Sequence, residues 1–216
     1  MRTISRAVEE VIARSSFLME AMIEGIANNA QIARRIKPDV EKRLYEEVSE
    51  AAIAMALHRM TKDIQRPHYG AGFLKKMSDI TVRSNLVEFA FANSHEAQSA
   101  LEMISKKAHR ARDTFFNLSR GLHEVILIVN AELALDVAHA LKHVPSIRRL
   151  DDLSAITMRL PEDSLNVPGV YYPILRSLAM ESISFVEVMS VRTEFSIIFR
   201  DSDVDTAFSI LKRITS

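Results

Sequence analysis

The order in which hydrophobic periods follow one another constrains this chain more than any single motif. Through residues 3–64 the apolar positions recur at three- and four-residue spacing, as in Ile4, Val8, Val11 and Ile12, then Leu18, Met22, Ile23 and Ile26. That is the spacing of helices with one buried face, and no strand pattern interrupts it. Gly25 and the Asn28-Asn29 pair read as stop signals. AQIARRI (30–36) reads as a short helix closed by Lys37-Pro38, and DVEKRLYEEV as another. Ser49 with Glu50 then caps EAAIAMALHRMTKDI, a strong helix former through Ile64.

QRPHYGAGF (65–73) holds two of the five glycines and one of the six prolines, and marks a domain boundary. After it the period changes to two. DITVRSNLVEFAFA (79–92) alternates and is rich in β-branched and aromatic residues, the mark of a strand. SHEAQSALEMISKKAH (94–109) reads as a helix capped by Ser94. RDTFFNLSRGLHEVILIVN reads as two strands turning at Arg120-Gly121, and AELALDVAHALKH (131–143) as a second helix ended by Pro145. SIRRLDD adds a short strand. The order then recurs: SAITMRLP as strand, a Pro-Gly turn, GVYYPILRSLAME as helix, ISFVEVMSV and EFSIIFRD as hairpin, and DVDTAFSILKRI as closing helix. Two β-α-β-β-α units of about 60–70 residues form an internal repeat of element order. The expected architecture is α+β: an N-terminal all-α domain (1–66), then tandem ferredoxin-like βαββαβ units (74–150 and 151–216) with helices packed on one sheet face.

Composition narrows the function. Twenty-eight basic side chains balance 28 acidic ones, so no global field draws the chain to nucleic acid or anionic lipid. The absence of cysteine excludes disulfides, thiol nucleophiles and thiolate metal sites. No apolar run reaches the ~18–20 residues of a membrane span. MRTISRAVEEVIARSS lacks the apolar core of a signal peptide, so the expected location is the cytoplasm, away from membranes.

The second unit resembles an ACT domain, and its strongest similarity is to the ACT units at the C-terminus of aspartokinases. The residues that carry the resemblance are NVPGV (166–170) between first strand and first helix, then ILRSLAMESISFVEVMS (174–190), TEFSIIF (193–199) and VDTAFSILK. They cover about residues 153–214. Residues 79–150 resemble an ACT unit by element order, with FANSHEAQ in place of the Pro-Gly turn. The resemblance implies paired ACT units, homo-oligomerisation through ACT sheets, and an amino acid bound at the Pro-Gly turn beside a neighbouring unit. No kinase domain is expected, because the five scattered glycines form no nucleotide loop.

On that basis the candidate ligand residues are Asn166, Val167, Pro168, Gly169 and Val170, with Met189 and Ser190 at the end of the second strand. Amides at a helix N-terminus and the helix dipole suit a carboxylate. The same turn also has a structural explanation: Pro fixes φ, Gly avoids a clash and Asn caps the turn. Val191 stands where many amino-acid-binding members carry a polar residue, often Gln. Tyr171 and Tyr172 are assigned to core or interface packing.

His139 and His143 stand four residues apart with Asp136 one turn earlier, a spacing that metal sites use. No second cluster is tied to them, so no metal and no cofactor is expected. His58, His68, His95, His109 and His123 are isolated. No Ser-His-Asp, Gly-x-Ser-x-Gly or paired-carboxylate pattern is visible, and the chain reads as a non-enzyme.

Residues 1–64 resemble a helix-turn-helix module in outline, NNAQIARRI matching its first helix and SEAAIAMALHRMTKDI its second, with 12 residues between. Residues 1–68 hold 11 Lys/Arg and 10 Asp/Glu, a net charge of +1. The would-be recognition helix begins with a glutamate and small apolar residues, where DNA contacts usually fall. Arg34, Arg35, Lys37, Arg59 and Lys62 are the residues that would reach phosphates. Packing or dimerisation explains the wide apolar faces equally well. Two functions follow: a non-catalytic amino-acid sensor that dimerises and moves a DNA- or protein-binding head, or a stand-alone ACT-fold subunit of an amino-acid-biosynthesis enzyme that binds no effector.

Overall fold

The structure is a computed structural model that describes residues 3–63, 71–108 and 114–215. Two compact units are present, 1–68 and 69–216.

The first unit is helical: α1 (Ile4–Ile12), α2 (Ser16–Ile23), α3 (Asn29–Leu44) and α4 (Glu50–Asp63). Short polar side chains start each helix. The side chain of Thr3 accepts from the Arg6 amide, Ser15 from Leu18, Asn28 from Ala30 and Gln31, and Ser49 from Ala52. Gly25, at φ 71°, follows α2 in the left-handed conformation that ends helices cheaply only with glycine. Ala7, Val8, Ile12, Ala33, Ile36, Val40, Ile53 and Leu57 form the core.

Pro38 does not end a helix, as the sequence reading expects, but lies inside α3. It forfeits one hydrogen bond to the preceding turn, a local penalty. The continuous buried row Ile32, Ala33, Ile36 and Val40 holds the helix together across it. The connection from α3 to α4 is therefore residues 45–49, with Tyr45 in the left-handed region at φ 57°.

The second unit opens with a short turn of helix, α5 (Ala71–Leu74), and continues β1 (Ser78–Ala92), α6 (His95–Ala108), β2 (Phe116–Arg120), β3 (Glu124–Asn130), α7 (Ala131–Ala140), β4 (Ser146–Arg159), a 3-10 turn (Glu162–Asn166), α8 (Tyr172–Met180), β5 (Glu187–Val191), β6 (Glu194–Arg200) and α9 (Asp201–Thr215). The six strands make one sheet in the order β2-β3-β1-β4-β6-β5, every neighbouring pair antiparallel. Two copies of β-α-β-β-α thus meet at their first strands, β1 and β4, and place their second strands on the two edges.

SIRRLDD and SAITMRLP, read separately from the sequence, form the single strand β4. Asp152 does not terminate it. It sits at φ 55° in a bulge, where the register passes from Leu86↔Leu153 to Glu88↔Leu150 with one extra residue on β4. Asn85, at φ 59°, lies in the matching irregularity of β1, between Arg83↔Ala155 and Leu86↔Leu153. Asn and Asp tolerate this conformation because their short side chains bond locally.

Strand alternation divides the core. Val87, Phe89, Phe91, Val125, Leu127 and Val129 pack with Ala97, Leu101, Ile104 and Val137 of α6 and α7. Ile156, Met158, Phe195, Ile197 and Phe199 pack with Ile174 and Leu178 of α8 and Ala207, Ile210 and Leu211 of α9. On the opposite face Leu86, Ile128, Leu153, Ala155 and Ile198 form their own cluster, edged by Phe115, Val186 and Met189. That face also carries a charge: Glu88 is fully buried, its Oε1 accepts from Nε and Nη2 of Arg148, and Arg148 reaches on to Glu187 at 3.3 Å.

Candidate functional site

The turn between β4 and α8 is built in steps. The 3-10 turn ends at Asn166, and Val167 donates back to Ser164 O at 3.1 Å. Gly169 takes φ 72°, a backbone that an L-residue adopts only with strain, and its carbonyl accepts from Tyr172 N at 3.0 Å. Val170 is buried against the core beneath α8, whereas Asn166, Pro168 and Gly169 are exposed. No side chain caps α8, and Pro173 in its first turn has no N–H to offer.

Tyr171 fastens this turn to the sheet. Its ring stacks on Phe195 with centroids 4.4 Å apart, and its hydroxyl lies 2.7 Å from Ser190 Oγ on the edge strand β5. Ser190 pairs with Phe195 in the β5–β6 register, so it shares the helix face with the turn. Met189 pairs with Ser196 and packs in the cluster on the other face. Of the sequence-derived candidates, the fold therefore brings Asn166, Val167, Pro168, Gly169, Val170 and Ser190 together and sends Met189 to the opposite side. Tyr171, with Tyr172, is assigned by sequence reasoning to core or interface packing. The spacing of one turn between it and the Pro-Gly pair was the available signal, but its partner across β5 was not.

Met189 and the exposed Val191 help line a groove of about 440 Å³ on the sheet face opposite α6–α9. Its polar groups include Thr81, Arg83, Asn117, Thr157, Glu194 and Ser196, with Thr157 Oγ1 and Ser196 Oγ 2.7 Å apart. Sequence reasoning missed this groove, since it joins residues of β1, β2, β4, β5 and β6 that only the sheet brings together.

Glu187 holds its proton more tightly than an ordinary carboxyl. Burial is the main cause and the nearby Glu88 charge adds to it, with Arg148 opposing. The bond to Glu88 in turn raises Arg148. Oε2 of Glu88 has no hydrogen-bond partner among the described residues.

The remaining candidates separate. Arg34 pairs with Glu50 at 3.5 Å and Lys37 with Glu41 at 3.6 Å. Arg59 and Lys62 lie on α4, and Arg35 lies on α3 beside a cavity of the helical unit. Asp136 is bound by Lys107 at 2.6 Å, and His143 falls beyond the end of α7, off the helical face that His139 occupies. Among the described residues no group of three or more His, Asp or Glu is placed to hold a metal. His68 and His109, and residues 65–70 of the sequence-derived boundary, lie outside the described residues. Among the described residues no helix is long and apolar enough to cross a membrane.

No protein-family model matches the chain, and no curated protein matches it by sequence. Solved structures do. The ligand-free regulatory subunit of aspartate kinase from Thermus thermophilus aligns with a TM-score of 0.53 at 8% identity, over 65% of this chain and 99% of that one. Aspartate kinase from Synechocystis aligns with a TM-score of 0.53 at 9% identity, over 64% of this chain but only 27% of that one. The enzyme from Clostridium acetobutylicum gives 0.51 at 13% identity, over 65% and 35%. At these identities the likeness is one of fold. The α+β unit has the fold of an aspartate kinase regulatory region, in agreement with the resemblance carried by residues 166–190.

Proposed function

We propose that this chain is a non-catalytic regulatory protein: a helical head on tandem ferredoxin-like ACT units that bind an amino acid and dimerise through their sheets. In this reading the head is residues 1–66, the units are 74–150 and 151–216, and the location is the cytoplasm. The observation that carries it is the alignment over 99% of an aspartate kinase regulatory subunit, with 27–35% of the aspartate kinases matched. The turn at Asn166, Val167, Pro168, Gly169 and Val170 would receive the carboxylate, since α8 has no side-chain cap competing for that end. Ser190 from β5 and Tyr171 from the start of α8 would close the site. A ligand that binds one arrangement of paired units better than another shifts the population toward it, and so repositions the head. DNA would be one partner of that head, through Arg34, Arg35, Lys37, Arg59 and Lys62, and protein another. Isothermal titration of the full chain against the twenty amino acids tests the sensing half; no heat from any of them sinks it.

Two observations favour a second reading, a stand-alone ACT-fold subunit of an aspartokinase-related enzyme without an effector. The Tyr171 hydroxyl is already engaged by Ser190, and Val191 beside it is 63% exposed and apolar. An apolar residue on an exposed strand edge suits protein assembly better than a zwitterion. Co-purification with an amino-acid-biosynthesis enzyme, unaffected by any amino acid, would select this reading. Recovery of one specific site in a DNA pull-down would reject it.

A further inference from the structure

We infer that the helical unit holds a second ligand site, independent of the Pro-Gly turn, that takes a doubly charged oxyanion of the phosphate class. A cavity of about 430 Å³ is walled by Arg14, Arg35 and Arg43, with Asp39 and the N-cap residue Ser15 between them. Three positive side chains against one negative leave the wall at +2. Its floor is apolar, formed in part by the buried Val11 and Ile36. Charges above a low-dielectric floor act on a ligand more strongly than the same charges on an open surface.

The sequence assembles this cluster from two places. Arg35, Asp39 and Arg43 recur every fourth residue along α3 and so share one stripe of it. Arg14 comes from the turn after α1, and Ser15 opens α2 beside it. Arg43 is held in place from two directions, its Nε 3.7 Å from Glu10 and its Nη1 donating to the Asp39 carbonyl at 3.3 Å. Arg14 and Arg35 have no ion-pair partner among the described residues, although Asp39 stands one turn from Arg35. Two uncommitted guanidinium forks beside a third, anchored one match an oxyanion that accepts bidentate bonds. The first turn of α2 contributes in the same sense. Ser15 already satisfies the Leu18 amide at 3.3 Å, while the earlier amides have no intrahelical acceptor.

The test is calorimetric titration of the full chain with inorganic pyrophosphate and with inorganic phosphate at low ionic strength, chloride at matched ionic strength serving as reference. Binding is expected for both oxyanions, with Arg14→Gln and Arg35→Gln each weakening it by about tenfold. Both arginines are exposed, so these variants should fold, and Arg120→Gln on strand β2 of the other unit should bind as the wild type does. Heats no larger than those of chloride overturn the inference, as does wild-type affinity in the double variant. Duplex DNA that displaces pyrophosphate with the same dependence on Arg14 and Arg35 reassigns the cluster to a nucleic-acid backbone and overturns the small-ligand assignment. Gly169→Ala should leave oxyanion binding intact, which separates failure here from failure of the amino-acid reading.

Discussion

Replacing Arg148 by methionine should expose how the sheet face opposite α6–α9 tolerates a charge. Glu88 is fully buried, and its only hydrogen bonds are those from Arg148, since its second oxygen has no partner among the described residues. Methionine keeps much of the apolar stem and removes the guanidinium, so lost packing contributes little. Removing one partner of a buried pair costs about 3–5 kcal/mol, most of it from the uncompensated charge that remains. The Arg148 side chain is 45% exposed, and water screens that end of the pair, which places the expected cost at the low end, about 3 kcal/mol. For a unit of this size that is a fall in Tm of about 6–12 °C. The double variant Glu88→Leu/Arg148→Met removes both charges and should recover most of the loss, because well-packed apolar residues replace buried pairs at little cost. Thermal unfolding of the wild type, both single variants and the double variant gives the full cycle. A loss under about 1 kcal/mol in Arg148→Met, unrelieved in the double variant, would refute the reasoning, since Glu88 would then be satisfied by something other than Arg148.

The remaining predictions concern the turn, the helical unit and pH. Gly169→Ala forces a side chain into φ 72° and should cost about 1–2 kcal/mol in urea unfolding, with amino-acid affinity falling alongside if the turn is the binding site. Tyr171→Phe keeps the stack on Phe195 but loses the bond to Ser190, an exposed one, so about 0.5–1 kcal/mol is expected in the same assay. Pro38→Ala restores a backbone donor inside α3 and should stabilise the helical unit by up to about 3 kcal/mol, read by calorimetry; destabilisation would mean the helix is bent to fit the proline. Glu187 binds its proton more tightly folded than unfolded, so its contribution to stability declines as pH rises from the ordinary carboxylate range to its raised value. Glu187→Gln should flatten that decline in a pH series of unfolding midpoints; an unchanged slope assigns it to another group.

The parts of this fold legible in the sequence are those set by local period. Val125, Leu127 and Val129 face the helices while Ile126 and Ile128 face the other way, and β3 is where alternation puts it. Ser94 and Ser49 cap the helices that follow them, through a side-chain oxygen that needs no tertiary partner. The misread places are those where a local stop signal is overruled by packing at long range. Pro38 reads as an end, yet Ile36 and Val40 on either side are buried together against α1 and α4. The Asp-Asp pair reads as an end, yet β4 is pinned by β1 on one side and β6 on the other, and the strain collapses into one bulge at Asp152. Alternation itself was readable at Met189 and Ser190. What was missing was the knowledge of which of the two faced the turn, and that follows only from the Ser190↔Phe195 register.

That register also bears on which function the unit can serve. In a strand at the edge of a sheet, one residue in two faces the helices and the next faces away. Residues 189–191 therefore divide their roles, Ser190 closing the Pro-Gly turn while Met189 and Val191 line the groove on the other face. A polar residue at 191 would face that groove and its Arg83 and Glu194, not the turn. The apolar Val191 therefore bears on the groove and the exposed edge of β5 rather than on a ligand held at Gly169. Binding at the turn and assembly through the exposed edge are then compatible in geometry, because Ser190 and Val191 lie on opposite faces of β5.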